Sequence, residues 1–340
     1  MPPGNSEFPA RIIQFVGFMS VFIAPLHASN KYLMQSYTEL LGSKFPIIAA
    51  PMNKVSDLKL AFAVYEAGAV PSLSIYNYYH IPLESAQTAS FITDVIRFRN
   101  RVKSMNILLS IGDKHLMNTV FTDALIRCKV KLIELAPDET LVNSTAWPAI
   151  LDKVAYLKEN GITVFLKILA DEITPEIDFG AIAGIIVKGH EAAGRISKTT
   201  TPLTELTKQF KLYFPNLHII PAGGVGSSAQ LKELIECGAT AVSIGTMFAA
   251  AEESLVSRET KLKMIEATKD DVNVLPNGET QNGILFGKID DEWDSNNTKS
   301  LKDGILSPKK GHIFVGKGIN HVTEILPVKT VVENLMKDII

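Results

Sequence analysis

The feature that most constrains the fold is a pair of short apolar runs, each ending in glycine or a small hydroxyl residue. The first is Ile-Ile-Pro-Ala-Gly-Gly-Val-Gly at residues 219–226, and the second is Ala-Val-Ser-Ile-Gly-Thr-Met-Phe at residues 241–248. Between them, residues 227–237 predict a helix with Ser227 as its N-cap and Gly238 just beyond its end. The pattern predicts a strand–loop–helix–strand unit with glycine-rich loops at the carboxyl ends of both strands.

These two glycine-rich loops have the composition of an anion-binding site. Glycine lets backbone N–H groups approach an anion closely, and a helix N-terminus adds a partial positive charge. In a (β/α)8 barrel, the loops after the seventh and eighth strands form the usual phosphate site. We therefore expect a phosphorylated cofactor or substrate at the top of a barrel.

Eight strand-like runs follow one another from residue 46 onward. They are continuously apolar, as expected for parallel strands buried on both faces. The runs cover residues 46–52, 69–74, 104–110, 132–135, 163–169, 184–189, 218–224 and 241–248. Helical spacing of apolar residues lies between most of them, at residues 56–67, 116–128, 144–160, 202–212 and 228–237. This alternation predicts an α/β fold, a (β/α)8 TIM barrel. The main rival is a doubly wound open sheet, but no GxGxxG opens the first helix.

Two regions fall outside the barrel pattern. Residues 1–33 hold a mostly apolar run after Arg11, which we interpret as a leader before the folded domain, with a secretory signal or anchor and a packing helix as alternatives. The barrel domain then covers residues 34–340. Within it, residues 270–310 are rich in Asp, Asn, Gly and Lys and predict a surface excursion, either a lid over the barrel mouth or a partner-binding loop. A helix at 252–268 precedes the excursion, and an amphipathic helix at 327–340 closes the chain.

Composition excludes several classes of function. The chain has 340 residues, enough for one barrel with insertions, and its formal net charge of -2 comes without a basic run, which argues against a nucleic-acid partner. The only cysteines, Cys128 and Cys237, lie in predicted helices. They exclude a disulfide framework and a cysteine-based metal site and fit a reducing cytoplasm. No firm membrane association is expected, and homo-oligomerisation is left open.

Candidate site residues are those at the carboxyl ends of the predicted strands. Lys167 is the most informative, because a lysine inside an apolar strand must face something polar. We expect it to face an anion or an electron-rich ring edge, with a structural ion pair as the alternative. His190, just after the sixth strand, could carry a proton, since its reference pKa lies near neutrality, or be an ordinary loop histidine.

Several segments, taken in order, resemble the nitronate monooxygenase family, also called 2-nitropropane dioxygenase-like, whose members are FMN-dependent barrel enzymes. The resemblance runs from about residue 34 to the end and is loose over residues 270–310. It rests on Pro-Ile-Ile-Ala-Ala-Pro-Met at 46–52, the helix and strand at 61–74, Gly-His-Glu-Ala-Ala-Gly at 189–194, the paired glycine strands, and Val-Gly-Lys-Gly-Ile-Asn-His-Val at 315–322. The inosine monophosphate dehydrogenase family shares the glycine pattern, but neither cysteine here lies in the glycine-rich loop that its nucleophile needs.

The resemblance implies a set of cofactor contacts. The FMN contacts it implies are Ala50, Pro51, Met52, Asn106, Lys167, Lys188, Gly189, Glu191 and Ala222. The phosphate would rest on Gly223 and Gly224 after the seventh strand and on Gly245 and Thr246 after the eighth. These are the same glycines at which the loop composition predicts an anion.

One departure from the family pattern bears on catalysis. Family members that oxidise nitronates usually carry a histidine directly after the turn that follows the sixth strand, and here that position is Arg195. Because an arginine stays protonated, Arg195 cannot act as a base, and we expect it to bind an anionic substrate by a bidentate contact. Lys188 replaces the usual glutamine before this turn. A similar Glu-Ala-x-Gly-Arg pattern occurs in relatives attached to polyketide synthases, which points towards acyl-carrier or lipid-like substrates.

The sequence therefore predicts an FMN-dependent oxidoreductase with Arg195 and His190 as candidate catalytic residues. The first hypothesis is oxidation of alkyl nitronates with O2 as the acceptor. The second is an NAD(P)H-dependent reductase acting on a quinone or an enoyl-acyl substrate. The third is a flavin-binding protein without turnover, recruited to a partner through residues 270–310.

Overall fold

The computed structural model describes residues 39–137, 141–142, 144–277, 280–285 and 303–339. Its strands are β1 (Ile47–Ala49), β2 (Ser72–Ser74), β3 (Leu108–Ile111), β4 (Leu132–Leu135), β5 (Thr163–Leu169), β6 (Gly184–Lys188), β7 (Gly194–Ile196), β8 (His218–Ala222), β9 (Val242–Ile244), β10 (Asn273–Asn277), β11 (Thr280–Leu285) and β12 (Ile313–Phe314). Its α-helices are α1 (Leu58–Glu66), α2 (Glu84–Val102), α3 (Asp113–Met117), α4 (Thr119–Arg127), α5 (Trp147–Glu159), α6 (Leu203–Tyr213), α7 (Ser228–Glu236), α8 (Thr246–Ala250), α9 (Arg258–Glu266) and α10 (Val328–Met336).

Eight parallel strands form a closed barrel. Their order is β1-β9-β8-β6-β5-β4-β3-β2. The ends of this sheet meet where Ile48 bridges Val70 in parallel register, supported by a 2.9 Å hydrogen bond from the Ala49 backbone N–H to the Val70 carbonyl oxygen. Each of the eight predicted strands overlaps one barrel strand, so the predicted (β/α)8 fold is confirmed.

The barrel interior is built in layers. A buried apolar cluster takes one residue from each of six strands: Ile48, Leu108, Leu132, Phe165, Ile186 and Ile220. Side chains two residues apart on a strand share a face, so the next inward positions towards the carboxyl ends lie one layer above this cluster. Those positions are Ala50, Ser110, Glu134, Lys167, Lys188 and Ala222, of which Ala222 still packs in the apolar cluster. The interior therefore changes from apolar to polar just below the mouth of the barrel.

The sequence patterns located most helices but not all of their boundaries. The predicted helix at 228–237 is α7, with Ser227 as its N-cap, as expected. The predicted helix at 116–128 is instead two helices, α3 and α4, because the Asn118 side chain caps the second by accepting from the Phe121 backbone N–H at 3.1 Å. Helix α2 was not predicted, although Phe91, Val95 and Phe98 bury one of its faces at the expected spacing.

A second, antiparallel sheet lies beside the barrel mouth. It joins β10, β11 and β12 with β7, which directly follows the turn after β6. In its register Arg195 lies opposite Asn282, and Leu285 lies opposite Ile313. Part of the predicted excursion at 270–310 is therefore a hairpin fixed to the carboxyl end of the barrel. The predicted leader at 1–33 lies outside the described residues. Among the residues that are described, no helix is long and apolar enough to cross a membrane.

Candidate active site

A pocket opens at the carboxyl ends of the barrel strands, where a (β/α)8 barrel places its chemistry. Its empty volume is about 1050 Å³, counted out to open solvent. It is lined by residues 50–53, 191–194, 222–225 and 243–246, together with Val55, Lys167, Lys188, Ile313, Phe314, Gly316 and Gly318. The loops that the glycine pattern singled out and the two lysines of the polar layer therefore share one pocket.

Two glycines after β8 form one wall of this pocket. Gly223 and Gly224 have φ angles of +132° and +72°, a region that side chains with a Cβ rarely adopt. A Cβ on Gly223 would lie 2.8 Å from the Ala192 backbone nitrogen, and one on Gly224 would lie 2.9 Å from the Glu191 Cβ. Only glycine fits here, and its backbone is left open to a ligand.

The N-terminus of α7 is occupied by its own capping box. Gln230 Oε1 accepts hydrogen bonds from the backbone N–H groups of Gly226, at 3.0 Å, and Ser227, at 3.2 Å. The part of this segment that lines the pocket is instead residues 222–225. An anion would therefore rest on the loop that precedes the helix and not on the capped first turn.

The segment after β9 forms the facing wall. A Cβ on Gly245 would make ordinary contacts of 3.6 Å with the Ala50 Cβ and the Met52 sulfur, so this glycine opens the pocket towards residues 50–52. The hydroxyl oxygen of Thr246 accepts a 3.1 Å hydrogen bond from the Gly316 backbone N–H. This bond holds the Gly-Lys-Gly turn near the C-terminus against the pocket.

The floor of the pocket is an ion pair inside the barrel. Glu134 is fully buried on β4, and its Oε1 accepts from Lys167 Nζ at 2.5 Å and from Ser110 Oγ at 2.8 Å. Its other oxygen, Oε2, is buried without a hydrogen-bond partner among the described residues. The expectation that Lys167 faces something polar is met by the structural ion pair, while the lysine also lines the pocket.

Lys188 lies beside this ion pair at the end of β6. Its Nζ donates a 2.8 Å hydrogen bond to the carbonyl oxygen of Ala193. Burial, together with the neighbouring positive charge of Lys167, lowers the pKa of Lys188 to about 7, although the carboxylate of Glu134 acts in the opposite direction. Lys188 therefore loses its proton at a much lower pH than an ordinary lysine does.

The structure places Arg195 in an ion pair outside the pocket lining. Its guanidinium forms an ion pair with Glu172 and makes a 3.4 Å hydrogen bond to the Pro137 carbonyl oxygen. Arg195 lies on β7, where its backbone faces β11, and it is not among the residues that line the pocket. Its positive charge is compensated by a carboxylate, so Arg195 is placed to hold the second sheet against the barrel.

Two further predicted site residues lie elsewhere. His190 lines a neighbouring cavity with Thr200 and Gln230, and its Nε2 lies 3.9 Å from Glu191 Oε1. Asn106 precedes β3, at the opposite end of the barrel, where its side-chain amide donates to the Gly42 carbonyl oxygen at 2.7 Å. The predicted strand at 104–110 starts before β3 does, so Asn106 was expected within the strand and lies before it, at the amino end of the barrel. Neither His190 nor Asn106 lines the pocket. Gly189 also lines the neighbouring cavity, while Glu191 lines both.

Sequence reasoning missed several residues of the pocket. Glu134 was detectable, because an acid in the run Leu-Ile-Glu-Leu needs a partner for the same reason as Lys167. Asn53 directly follows the predicted first strand, and its Oδ1 is buried in the pocket wall without a hydrogen-bond partner among the described residues. Phe314 belongs to the two-residue strand β12, which is too short to show the alternation of apolar and polar residues that indicates a strand.

The fold and the site define a TIM-barrel protein with a glycine-walled pocket over a lysine floor. The model of the family described as nitronate monooxygenase matches residues 35–338, and the chain belongs to this family.

Solved structures of low sequence identity share the fold. FabK from Thermotoga maritima has a TM-score of 0.72 at 22% identity, over 89% of this chain and 94% of that one. Nitroalkane oxidase from Streptomyces ansochromogenes has a TM-score of 0.67 at 16% identity, over 89% of this chain and 98% of that one.

A curated relative is similar in sequence over part of its length. It is (3aS,4S,5R,7aS)-5-hydroxy-7a-methyl-1-oxo-octahydro-1H-indene-4-carboxyl-CoA dehydrogenase from Rhodococcus jostii (strain RHA1). The two are 24% identical over 243 residues, which cover 71% of this chain and 62% of the relative. The chain thus spans about three fifths of the length of this relative.

Proposed function

We propose that the pocket binds FMN and that the protein is an FMN-dependent oxidoreductase. The observation that carries this proposal is that the glycine walls and the lysine floor open into a single pocket. A phosphate would rest between Gly223–Gly224 and Gly245–Thr246, since a side chain on either of the first two would collide with the neighbouring turn. Residues 50–53 and the two lysines would hold the ring system.

The polar atoms of the pocket fit such a ligand. The buried Oδ1 of Asn53 is an acceptor that needs a donor, and the isoalloxazine ring offers an N–H group. Lys167 and Lys188 line the pocket with N–H donors that can serve an electron-rich ring edge. When bound, FMN supplies reversible two-electron chemistry. The side chains of this pocket bind and orient it and exclude competing reactions.

The reaction that we favour is oxidation of alkyl nitronates with O2 as the acceptor. A nitronate is already deprotonated, so its oxidation does not require the histidine that this pocket lacks at position 195. The N–H groups of the two floor lysines can donate hydrogen bonds to the oxygens of a nitronate. Compared with the expectation from sequence, the anion contact moves from Arg195 to the floor of the pocket.

A second candidate is NAD(P)H-dependent reduction of an enoyl-acyl substrate. It is favoured by the similarity to a dehydrogenase whose name specifies a carboxyl-CoA substrate. It also fits the volume of the pocket, which exceeds the space that a small nitronate fills. Under this candidate, a nicotinamide supplies the electrons and O2 is not needed.

Anaerobic stopped-flow absorbance tests the proposal. The purified protein, reconstituted with FMN, is mixed with ethyl nitronate, NADH or NADPH in separate experiments. Bleaching of the flavin by nitronate alone supports nitronate oxidation, and bleaching by a nicotinamide alone supports the reductase. Binding of FMN without bleaching by any of the three would leave a flavin-binding protein without turnover. Failure to bind FMN at micromolar concentrations would overturn the cofactor assignment.

A further inference from the structure

The described residues that line the pocket include three with titratable side chains: Lys167, Lys188 and Glu191. Lys167 is held by the carboxylate of Glu134 at 2.5 Å. Glu191 packs against Gly224 and lies 3.9 Å from His190, outside the floor. Lys188 differs from both, because its amino group donates to a neutral carbonyl oxygen, that of Ala193. A neutral amine can donate one N–H to that oxygen and still present its lone pair to the pocket.

We propose that the amino group of Lys188 is the acid–base group of this pocket and, in its neutral form, removes a proton from a carbon acid such as a neutral nitroalkane. This inference rests on the proposed function and extends its substrate class from nitronates to their conjugate acids. In this step the C–H bond breaks and an N–H bond forms on Nζ. The electron pair of the C–H bond stays on the substrate, which becomes the nitronate. Nothing is oxidised, and the proton later passes from Nζ to solvent.

The charges around Lys188 favour its neutral form. Burial is the largest cause that lowers the pKa of Lys188; Lys167 on β5 and Arg195 on β7 lower it further, whereas Glu134 on β4 raises it. Glu134 is paired with Lys167 through its Oε1, and Glu172 after β5 is paired with Arg195. Together with burial, this arrangement gives Lys188 a pKa of about 7. A general base works best when its pKa lies near the working pH.

Lys188 lies at a different position from the family histidine but would play the same role, that of general base. The position after the turn is Arg195, which is paired with Glu172 and cannot accept a proton. The position before the turn is Lys188, at the end of β6 and within the pocket. The proposed base therefore precedes the turn at residues 189–194, whereas the family histidine would follow it.

The first experiment compares two substrates that differ by one proton. For the wild type, Lys188→Met and Lys188→Arg, kcat/KM is measured with nitroethane and with ethyl nitronate. Loss of general-base catalysis should reduce the nitroethane-to-nitronate ratio of kcat/KM by roughly 100-fold in both variants, because Met has no lone pair on nitrogen and Arg stays protonated. Lys329→Met, on the exposed face of α10, is the matched control. A ratio that stays within about threefold of the wild type, or a wild type that oxidises only the nitronate, overturns the proposal.

The second experiment needs neither a variant nor turnover. The wild-type protein, with and without FMN, is pulsed with acetic anhydride from pH 5 to pH 10, and acetylation of Lys188 is measured by mass spectrometry relative to Lys329, which is 78% exposed. A labelling midpoint near pH 7 is the expected result. A midpoint near the ordinary lysine pKa of about 10.4 overturns the proposal. If FMN binds but neither nitro substrate is turned over, the proposed function itself fails; if ethyl nitronate is oxidised and nitroethane is not, only the assignment of Lys188 as the base fails.

Discussion

The backbone N–H of Lys317 donates a 2.9 Å hydrogen bond to the carbonyl oxygen of Glu191. This bond joins the Gly-Lys-Gly turn near the C-terminus to the turn after β6. Gly316 packs on the same turn, since a Cβ there would lie 2.9 Å from the Ala192 carbonyl carbon. The C-terminal segment is therefore a wall of the pocket, formed only when the whole barrel is in place.

Gly316→Ala tests this wall. The added methyl group would collide with backbone atoms of residues 191 and 192, which cannot move as a flexible side chain can. We expect the turn to shift, the affinity for FMN to fall at least about tenfold, and the free energy of unfolding to fall by about 1–3 kcal/mol. Fluorescence titration with FMN and urea unfolding measure both effects.

Gly161→Ala is the control for a general loss of stability. Gly161 has a φ of +78°, so alanine is strained there, but a Cβ would meet nothing within 4 Å and the site is remote from the pocket. It should lower stability without changing the affinity for FMN. If Gly316→Ala bound FMN like the wild type, the turn would not be part of the cofactor site.

The buried ion pair at the floor predicts strong coupling between Glu134 and Lys167. Removing one partner leaves the other charge uncompensated, which costs about 3–5 kcal/mol for a buried pair. We expect Glu134→Gln to lie near the lower limit, because the Lys167 side chain is 23% exposed. The double variant with Lys167→Met should lose less than the sum of the two single variants. Urea unfolding of the four proteins gives the coupling energy, and additive losses would show that the pair does not act as a unit.

Replacing Arg195 should lower the stability of the protein more than it changes the binding of substrate. Arg195→Ala breaks the ion pair to Glu172, whose Oε2 also accepts from the Leu169 backbone N–H at 3.1 Å. Arg195→Ala and Glu172→Gln should therefore destabilise the protein non-additively. The KM for an anionic substrate should change less than about threefold. A tenfold rise in KM with unchanged stability would instead restore Arg195 as an anion anchor.

Lys188 should make stability depend on pH. Its pKa is about 7 in the folded protein and about 10.5 in the unfolded chain. Between these values the unfolded chain binds more protons, so the free energy of unfolding contributed by Lys188 rises as the pH increases from 7 to 10. Below pH 7 both states hold the proton, and the contribution is constant and destabilising.

Comparison with Lys188→Met isolates this contribution. Urea unfolding of both proteins without FMN at pH 6, 7, 8 and 9.5 should show the variant gaining most over the wild type at the two lower pH values. The difference should shrink steadily above pH 7. Parallel pH profiles would mean that the amine titrates alike in both states.

The barrel could be predicted because its signals are local. Each strand is a short apolar run, each helix repeats apolar residues every three or four positions, and Ser227 marks a helix start by its own side chain. The second sheet gave no such signal. Strands β7 and β12 have three and two residues, too few to show alternation, and β7 pairs with a hairpin far along the chain.

The site could be predicted only as far as strand periodicity extends. Lys167 and Lys188 lie within strands, so their inward direction follows from the alternation that also places Phe165 and Ile186 in the core. Beyond Lys188 the chain turns, and the direction of a side chain depends on the pairing of β7 with β11. This is why Arg195 and His190 were expected in the pocket and lie outside it.

The pairing of Leu285 with Ile313 has a consequence for how this protein tolerates changes in length. Both ends of the chain between them are held side by side by backbone hydrogen bonds, whatever its number of residues. Closing a loop costs only about 0.6 kcal/mol more for each doubling of its length. An insertion between residues 285 and 303 should therefore cost little stability, and a reporter domain could be placed there.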